Sequence, residues 1–200
     1  IFSFRLSPTV GLGVRDPLGG KHHLIAGVHY TQPLGAHWKD AKADPIAYYQ
    51  YQYKGFDLNM GAIPYTHRYA ALPDWLMYDS IAYNHPNILG ALLAYHDQRG
   101  YVEFMCDWRG AQSPTRREMF RLIIDGQYQY KWFNIGAIGQ VNHKANFKDT
   151  TIHPHEGVCD DILVEPYIGF NVSSYTPLDS LSLRAGYIVG VQRWRQQNRY

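Results

Sequence analysis

A period of two in side-chain character runs through most of this chain and constrains its fold more than any other feature. In the first segment one parity is apolar and the other is polar or small: Phe2, Phe4, Leu6, Val10, Leu12 and Val14 alternate with Ser3, Arg5, Ser7, Thr9, Gly11, Gly13 and Arg15. Successive side chains of a β-strand point to opposite faces. The pattern therefore predicts a strand with one apolar and one polar face.

The same alternation returns along the whole chain and predicts about ten strands, over residues 2–15, 23–30, 47–54, 56–62, 89–95, 102–109, 120–130, 133–142, 164–173 and 181–192. The longer segments approach the 9 to 11 residues that a tilted strand needs to cross a bilayer. Strands of soluble proteins average about 5 to 6 residues. The predicted fold class is all-β, an antiparallel transmembrane β-barrel.

A soluble β-sandwich or a lipocalin-like barrel also alternates and is the competing fold. The polar parity, however, carries charges within the strands, at Arg5, Asp57, Glu103, Arg121, Asp125, Glu165 and Arg184. A barrel with a polar interior accommodates such charges, so the membrane barrel is the favoured interpretation.

Composition removes several function classes. The chain has 17 Tyr and 18 Gly, and only 18% of its residues are charged. Its net charge is +2 and its basic residues are dispersed. A nucleic-acid binder clusters its basic residues in a patch, so this function is excluded. No stretch approaches the roughly 18 apolar residues of a membrane helix. Cys106 and Cys159 match no metal spacing, and a disulfide between them stays open from sequence alone.

Short and long connections alternate and give an orientation. Short ones fall near residues 16–20, 54–55, 97–100, 131 and 176–179, and longer ones cover residues 35–44, 65–86, 110–117 and 145–161. Outer-membrane barrels have short periplasmic turns and long external loops. On this orientation the first strand starts outside and the last one ends outside, whereas bacterial barrels normally begin and end on the periplasmic side. We therefore expect residues 1–200 to form a single barrel domain that is a fragment lacking flanking strands.

Two segments carry a family resemblance. The stretch DWRGAQSPTRREMF, from Asp107 to Phe120, and the stretch NHPNILGALLAY, from Asn84 to Tyr95, resemble porin-like outer-membrane barrels of the Bacteroidota. The resemblance implies a barrel of more than ten strands with a channel or transport role and no established catalytic site.

The predicted function is a passive outer-membrane channel for small hydrophilic solutes, without enzymatic activity. A channel needs polar side chains along its lumen. The predicted pore-lining residues are Arg5, His29, Asp57, Glu103, Asp107, Arg121, Asp125, Glu165 and Arg184. The alternative is that these residues pair across strands and fill the interior. Expected partners are outer-membrane lipid, the solutes, and a homo-oligomer or an envelope complex; no cofactor and no nucleic acid are expected.

Two other functions stay open from the sequence. The aromatic-rich loop over residues 65–86 would bind a partner in a barrel subunit or scaffold, or fold into the pore as a constriction. In a barrel hydrolase, a His general base needs a carboxylate nearby, and Asp107 and His143 are the residues expected to meet. His153, His155 and Glu156, together with Asp160 and Asp161, have weak metal-ligand spacing, for which a solvated loop is the favoured interpretation, and no metal site is predicted.

Overall fold

The computed structural model describes residues 2–77, 83–147 and 157–195 and confirms an all-β antiparallel sheet. Its twelve strands are β1 (Ser3–Leu6), β2 (Thr9–Arg15), β3 (Lys21–Pro33), β4 (Lys42–Tyr53), β5 (Phe56–Pro64), β6 (Asn87–His96), β7 (Gly100–Gly110), β8 (Met119–Tyr130), β9 (Phe133–Lys144), β10 (Val158–Asn171), β11 (Ser182–Gly186) and β12 (Val189–Arg195). Short 3-10 turns occupy Trp38–Asp40, Tyr65–His67 and Ser173–Tyr175. In the described ranges, no helix has the length and apolar character needed to cross a membrane.

The chain divides into two compact units, Ile1–Leu93 and Ala94–Tyr200. In the first unit the strand order is β1-β3-β4-β5-β6, with β2 also beside β3. In the second unit the order is β7-β8-β9-β10-β11, with β12 also beside β10. The expected single barrel domain with missing flanking strands stays a prediction.

The twelve strands occupy ten positions, which matches the number of alternating segments. β1 and β2 pair with successive parts of β3, and β11 and β12 pair with successive parts of β10. Each interruption lies at a proline. The Pro8 carbonyl accepts from the Val28 N–H, and the Pro166 carbonyl accepts from the Tyr187 N–H. Because proline has no N–H, it cannot donate the second hydrogen bond to the same partner residue, and the ladder breaks there.

One face of the sheet buries charged side chains together with apolar ones such as Met105 and Ile123, and the other face exposes apolar side chains. Along β7, Val102 is 48% exposed, Glu103 is 1% exposed and Phe104 is 40% exposed. Charged side chains are thus buried on one face, which we call the inner face, while aliphatic and aromatic side chains are exposed on the other, which we call the outer face. This distribution is the one expected of a membrane β-barrel rather than of a soluble sandwich.

The tight turn between β4 and β5 explains the close pairing of these strands. Lys54 and Gly55 have φ angles of 45° and 83°. Two central residues with positive φ are the signature of a type I′ turn, whose twist matches that of the flanking strands. Long connections follow β3, β5, β7 and β9, whereas short ones follow β2, β4, β6 and β8.

Candidate active site

A row of side chains crosses the outer face of the second unit at one end of its strands. The register places Trp108 opposite Phe120, Phe120 opposite His143, His143 opposite Asp160, and Asp160 opposite Arg193. Directly opposed residues of antiparallel strands share a face. The row therefore brings two aromatic rings, an imidazole, a carboxylate and a guanidinium together on the face that carries the exposed apolar side chains.

His143 and Asp160 form the chemical centre of this row. Nδ1 of His143 lies 2.6 Å from Oδ1 of Asp160, and their side chains are 22% and 12% exposed. Because a carboxylate only accepts, Nδ1 is the protonated nitrogen and Nε2 keeps its lone pair in the neutral ring. Within residues 2–77, 83–147 and 157–195, Nε2 has no hydrogen-bond partner. The imidazole is thus oriented by one nitrogen and open at the other.

Asp160 is held from two sides. Its second oxygen, Oδ2, accepts from Nη2 of Arg195 at 2.6 Å, while Oδ1 contacts His143. A carboxylate fixed at both oxygens cannot rotate away from the imidazole. This geometry keeps the ring of His143 in one tautomer and one orientation.

Aromatic rings cover one side of the imidazole. The rings of Phe120 and His143 are stacked, with centroids 4.7 Å apart and planes 25° apart. Trp108 lies against Phe120 at a centroid distance of 5.4 Å, and its indole N–H donates to Glu118 at 3.1 Å. The open nitrogen of His143 therefore lies next to an apolar, aromatic surface.

The row lies where the strands meet two long connections, over residues 111–118 and 145–157. Arg117, from the first connection, ties down both ends of the second. Its Nε donates to the Ala145 carbonyl at 2.7 Å, and its Nη2 donates to the Gly157 carbonyl. Since Ala145 follows β9 and Gly157 precedes β10, these bonds fix the strand ends that carry His143 and Asp160.

The predicted pairing of Asp107 with His143 is wrong, because the two side chains lie on opposite faces. Asp107 is fully buried on the inner face, where its Oδ2 lies 2.6 Å from Nε of Arg109 and 3.9 Å from Nη2 of Arg121. The register places Arg121 opposite Asn142, the residue before His143. The partner of His143 is instead Asp160.

Asp160 was not predicted as the partner of His143, because residues 145–161 were interpreted as a loop. β10 begins at Val158, so Asp160 is a strand residue. The signal was present in the sequence: counting back in twos from Val164 leads through Ile162 to Asp160, and counting forward from Val141 leads to His143. Both residues belong to the apolar parity, whereas Asp107 shares the parity of Glu103.

In the first unit, the predicted pore-lining residues are engaged within the sheet. Arg5 donates from Nε to the Thr31 hydroxyl at 3.1 Å, and His29 is buried between Ser7 and Asn87, at 2.7 Å and 2.9 Å. Asp57 accepts from the side-chain amides of Gln50, Gln52 and Asn59.

In the second unit, the predicted residues lie on the inner face. Glu103 is directly opposite Asp125, and both are buried; the Tyr101 hydroxyl donates to Asp125 at 3.2 Å. Arg184 bonds Glu165 at 2.9 Å. Whether the nine predicted residues line a lumen stays a prediction.

His153, His155 and Glu156 lie outside the described residues, and the described part of the chain contains no group of three metal-ligating side chains. Cys106 and Cys159 are free thiols.

The chemical capacity of the row is that of a general base. A neutral imidazole whose far nitrogen donates to a carboxylate can accept a proton at its open nitrogen, and the carboxylate stabilises the imidazolium that forms.

Comparison with known proteins gives one match. A family model described as lipid A 3'-O-deacylase-type matches residues 2–155. His143 lies inside the matched segment, whereas Asp160 lies beyond it. No match was found among curated proteins or among solved structures.

This match corrects the functional prediction. The resemblance to outer-membrane barrels is confirmed at the level of the barrel family, but the porin assignment is not. The prediction of a passive channel is wrong, as is the prediction that the chain is not an enzyme, because the matching family is an enzyme family. The barrel hydrolase, which the sequence left as an alternative, fits better. The family and the all-β fold indicate a protein of the cell envelope.

Proposed function

Because this chain belongs to the lipid A 3'-O-deacylase-type family, we propose that it is an outer-membrane hydrolase that removes an ester-linked acyl chain from a glycolipid of the lipid A class. The description of the family implies ester hydrolysis, since the acyl group leaves from an oxygen. The observation that carries the proposal is the His143–Asp160 pair, which lies on the apolar outer face of the sheet with Nε2 open.

The proposed reaction uses His143 as the general base. Nε2 takes a proton from water while the water oxygen bonds to the ester carbonyl carbon, which gives a tetrahedral oxyanion. Collapse of this intermediate breaks the bond to the alcohol oxygen, which receives the proton back from His143. The products are a fatty acid and a glycolipid with a free hydroxyl. Asp160 holds Nδ1–H throughout and stabilises the transient imidazolium.

The outer face supports an acylated substrate at this position. From the level of His143 towards the middle of the strands it presents Leu122, Ile124, Val141 and Ile162, an apolar surface along which acyl chains can lie. The row itself lies at the end with the long connections, which we assign to the external side. A glycolipid in the outer leaflet would thus present its ester bond near the rim and its chains to the sheet.

The first test is hydrolysis by the purified, refolded protein in detergent micelles with an acylated glycolipid substrate. The variant His143→Gln keeps a polar side chain but has no basic nitrogen, and we expect it to lower kcat by about 100- to 10,000-fold, the usual contribution of a general base. His96→Gln, at the short-turn end of β6, is the control and should hydrolyse at the wild-type rate.

The proposal fails if His143→Gln hydrolyses the substrate as fast as the wild type. A loss of kcat in His96→Gln equal to that in His143→Gln would mean that the assay reports folding rather than chemistry. Release of free fatty acid, measured by mass spectrometry, distinguishes hydrolysis from transfer of the acyl chain to another lipid.

A further inference from the structure

Two arginines flank the His143–Asp160 pair on the outer face. Arg193 lies directly opposite Asp160, and Arg195 lies opposite Val158, one position closer to the rim on the same face. Further along β12, the same face carries Val191 and Val189. The strand thus changes from apolar to cationic at the level of the candidate site.

The bond to Asp160 engages only one nitrogen of the Arg195 guanidinium group. One guanidinium nitrogen, Nη2, donates to Oδ2, and the side chain is 52% exposed. Among the residues that the structure describes, Nε and Nη1 of Arg195 have no acceptor, and Arg193 is exposed and has no ion pair. Several guanidinium N–H groups are therefore available to a ligand or to solvent.

Charges on the lipid-facing side of a membrane strand are tolerated only near the interface, where lipid headgroups lie. Guanidinium groups bind phosphate through paired N–H donors. Two arginines that lie two residues apart on one strand share a face and supply donors for more than one phosphate oxygen. The charge, exposure and position of the two arginines all suit an anionic headgroup at the height of the candidate site.

We infer that Arg193 and Arg195 form a binding site for a phosphate monoester on the headgroup of the glycolipid substrate, which sets the ester bond against His143. This inference rests on the proposed function, which it extends by naming the residues that recognise the headgroup. Arg195 acts as a positioning residue as well, because the same guanidinium restrains Asp160.

The experiment compares two glycolipids that have the same acylated sugar and differ only in the phosphate monoester. Binding of each, in mixed micelles, to the wild-type protein is measured by calorimetry at low ionic strength, and hydrolysis is measured on the same preparations. Inorganic phosphate alone is the third ligand. We expect the phosphorylated glycolipid to bind at least about tenfold more tightly than the phosphate-free one, and inorganic phosphate to bind more weakly than either.

The variants separate the two arginines. Arg193→Gln should weaken binding of the phosphorylated glycolipid by about tenfold and leave binding of the phosphate-free one unchanged. Arg195→Gln should do the same and also lower kcat on both substrates, because it frees Asp160, whereas Arg195→Lys should recover part of the affinity. Arg99→Gln, in the turn between β6 and β7, removes one exposed charge elsewhere and should bind both glycolipids as the wild type does.

Equal affinity of the wild type for the two glycolipids would overturn the inference, as would equal losses in Arg193→Gln and Arg99→Gln. Inorganic phosphate that binds as tightly as the phosphorylated glycolipid would mean that a free anion is recognised, which also overturns it. Phosphate-dependent binding without hydrolysis would uphold this site and refute the proposed function. Hydrolysis without phosphate dependence would do the reverse.

Discussion

Asp160 and Asp161 are adjacent carboxylates whose environments differ because their side chains point to opposite faces of β10. Asp160 contacts His143 and Arg195 on the outer face. Asp161 accepts from the side-chain amide of Gln192 at 2.7 Å on the inner face. Adjacent residues of a strand face opposite sides, so Asp160 belongs to the candidate site whereas Asp161 only links two strands.

This pair of neighbours provides a matched test. Asp160→Asn keeps the size of the side chain but removes the charge that stabilises the imidazolium, and we expect kcat on the glycolipid to fall by about 100-fold or more. Asp161→Asn makes the same change at the neighbouring position on the inner face and should stay within about threefold of the wild type. Steady-state kinetics of both variants would decide it; similar rates for the two would contradict the assignment of Asp160.

At the residue scale, the sequence supplied the parity of each side chain but not the register between strands. Parity alone separates His143 from Asp107, since the first belongs to the apolar set and the second to the polar set. Pairing His143 with Asp160 additionally requires the register of β9 against β10, which depends on where the long connection ends. The sequence does not show that point.

At the scale of elements, the turn between β2 and β3 is stabilised by a single side chain. Oδ1 of Asp16 accepts from the backbone N–H groups of Leu18 and Gly20, at 2.8 Å and 2.9 Å. The bond from Gly20 is the main cause that lowers the pKa of Asp16 below its ordinary value; partial desolvation opposes it, and the nearby His22 and the Leu18 N–H add to the lowering. The folded state thus favours the ionised carboxylate.

The lowered pKa predicts a pH dependence of stability. A carboxyl group whose pKa is lower in the folded state stabilises the protein above its unfolded pKa, near 4, and loses that contribution as the pH falls through the folded value. Asp16→Asn should therefore unfold at lower urea concentration than the wild type at pH 7, and the difference should shrink below about pH 4. Asp179→Asn, an exposed carboxylate between β10 and β11, is the control. A difference that is constant from pH 7 to pH 3 would contradict this role of Asp16.

The strand elements were predicted more completely than their ends. Alternation marked every position of the sheet, but β3, β4 and β10 each extend several residues beyond the predicted segments. In β4 the extension includes Lys42 and Asp44, and in β10 it includes Asp160 and Asp161, residue types that resemble loop sequence. Tertiary pairing overrides their weak strand propensity, because neighbouring strands supply the hydrogen-bond partners.

At the scale of the whole molecule, alternation predicts a membrane sheet equally well for a channel and for an enzyme. The two functions differ in which face carries the chemistry. Charges on the inner face drew the prediction towards a pore, whereas the candidate site consists of a few polar side chains on the face that is otherwise apolar. A fold shared by many functions does not reveal this difference; the exceptions to its pattern do.

The assignment of faces itself has a direct test in the stability of the folded protein in lipid vesicles. Val189 and Gly190 are neighbours near the middle of the position that β11 and β12 share beside β10. Val189 lies opposite Val164 on the outer face, and Gly190 lies opposite Leu163 on the inner face. Val189→Arg places a cation against lipid and should lower the free energy of unfolding by roughly 2 to 4 kcal/mol. Gly190→Arg places it on the inner face, where a Cβ meets no heavy atom within 4 Å, and should cost much less. Urea unfolding from vesicles measures both. Equal penalties would mean that the apolar face does not contact lipid, and with that result a site on this face could no longer receive a membrane-embedded ester.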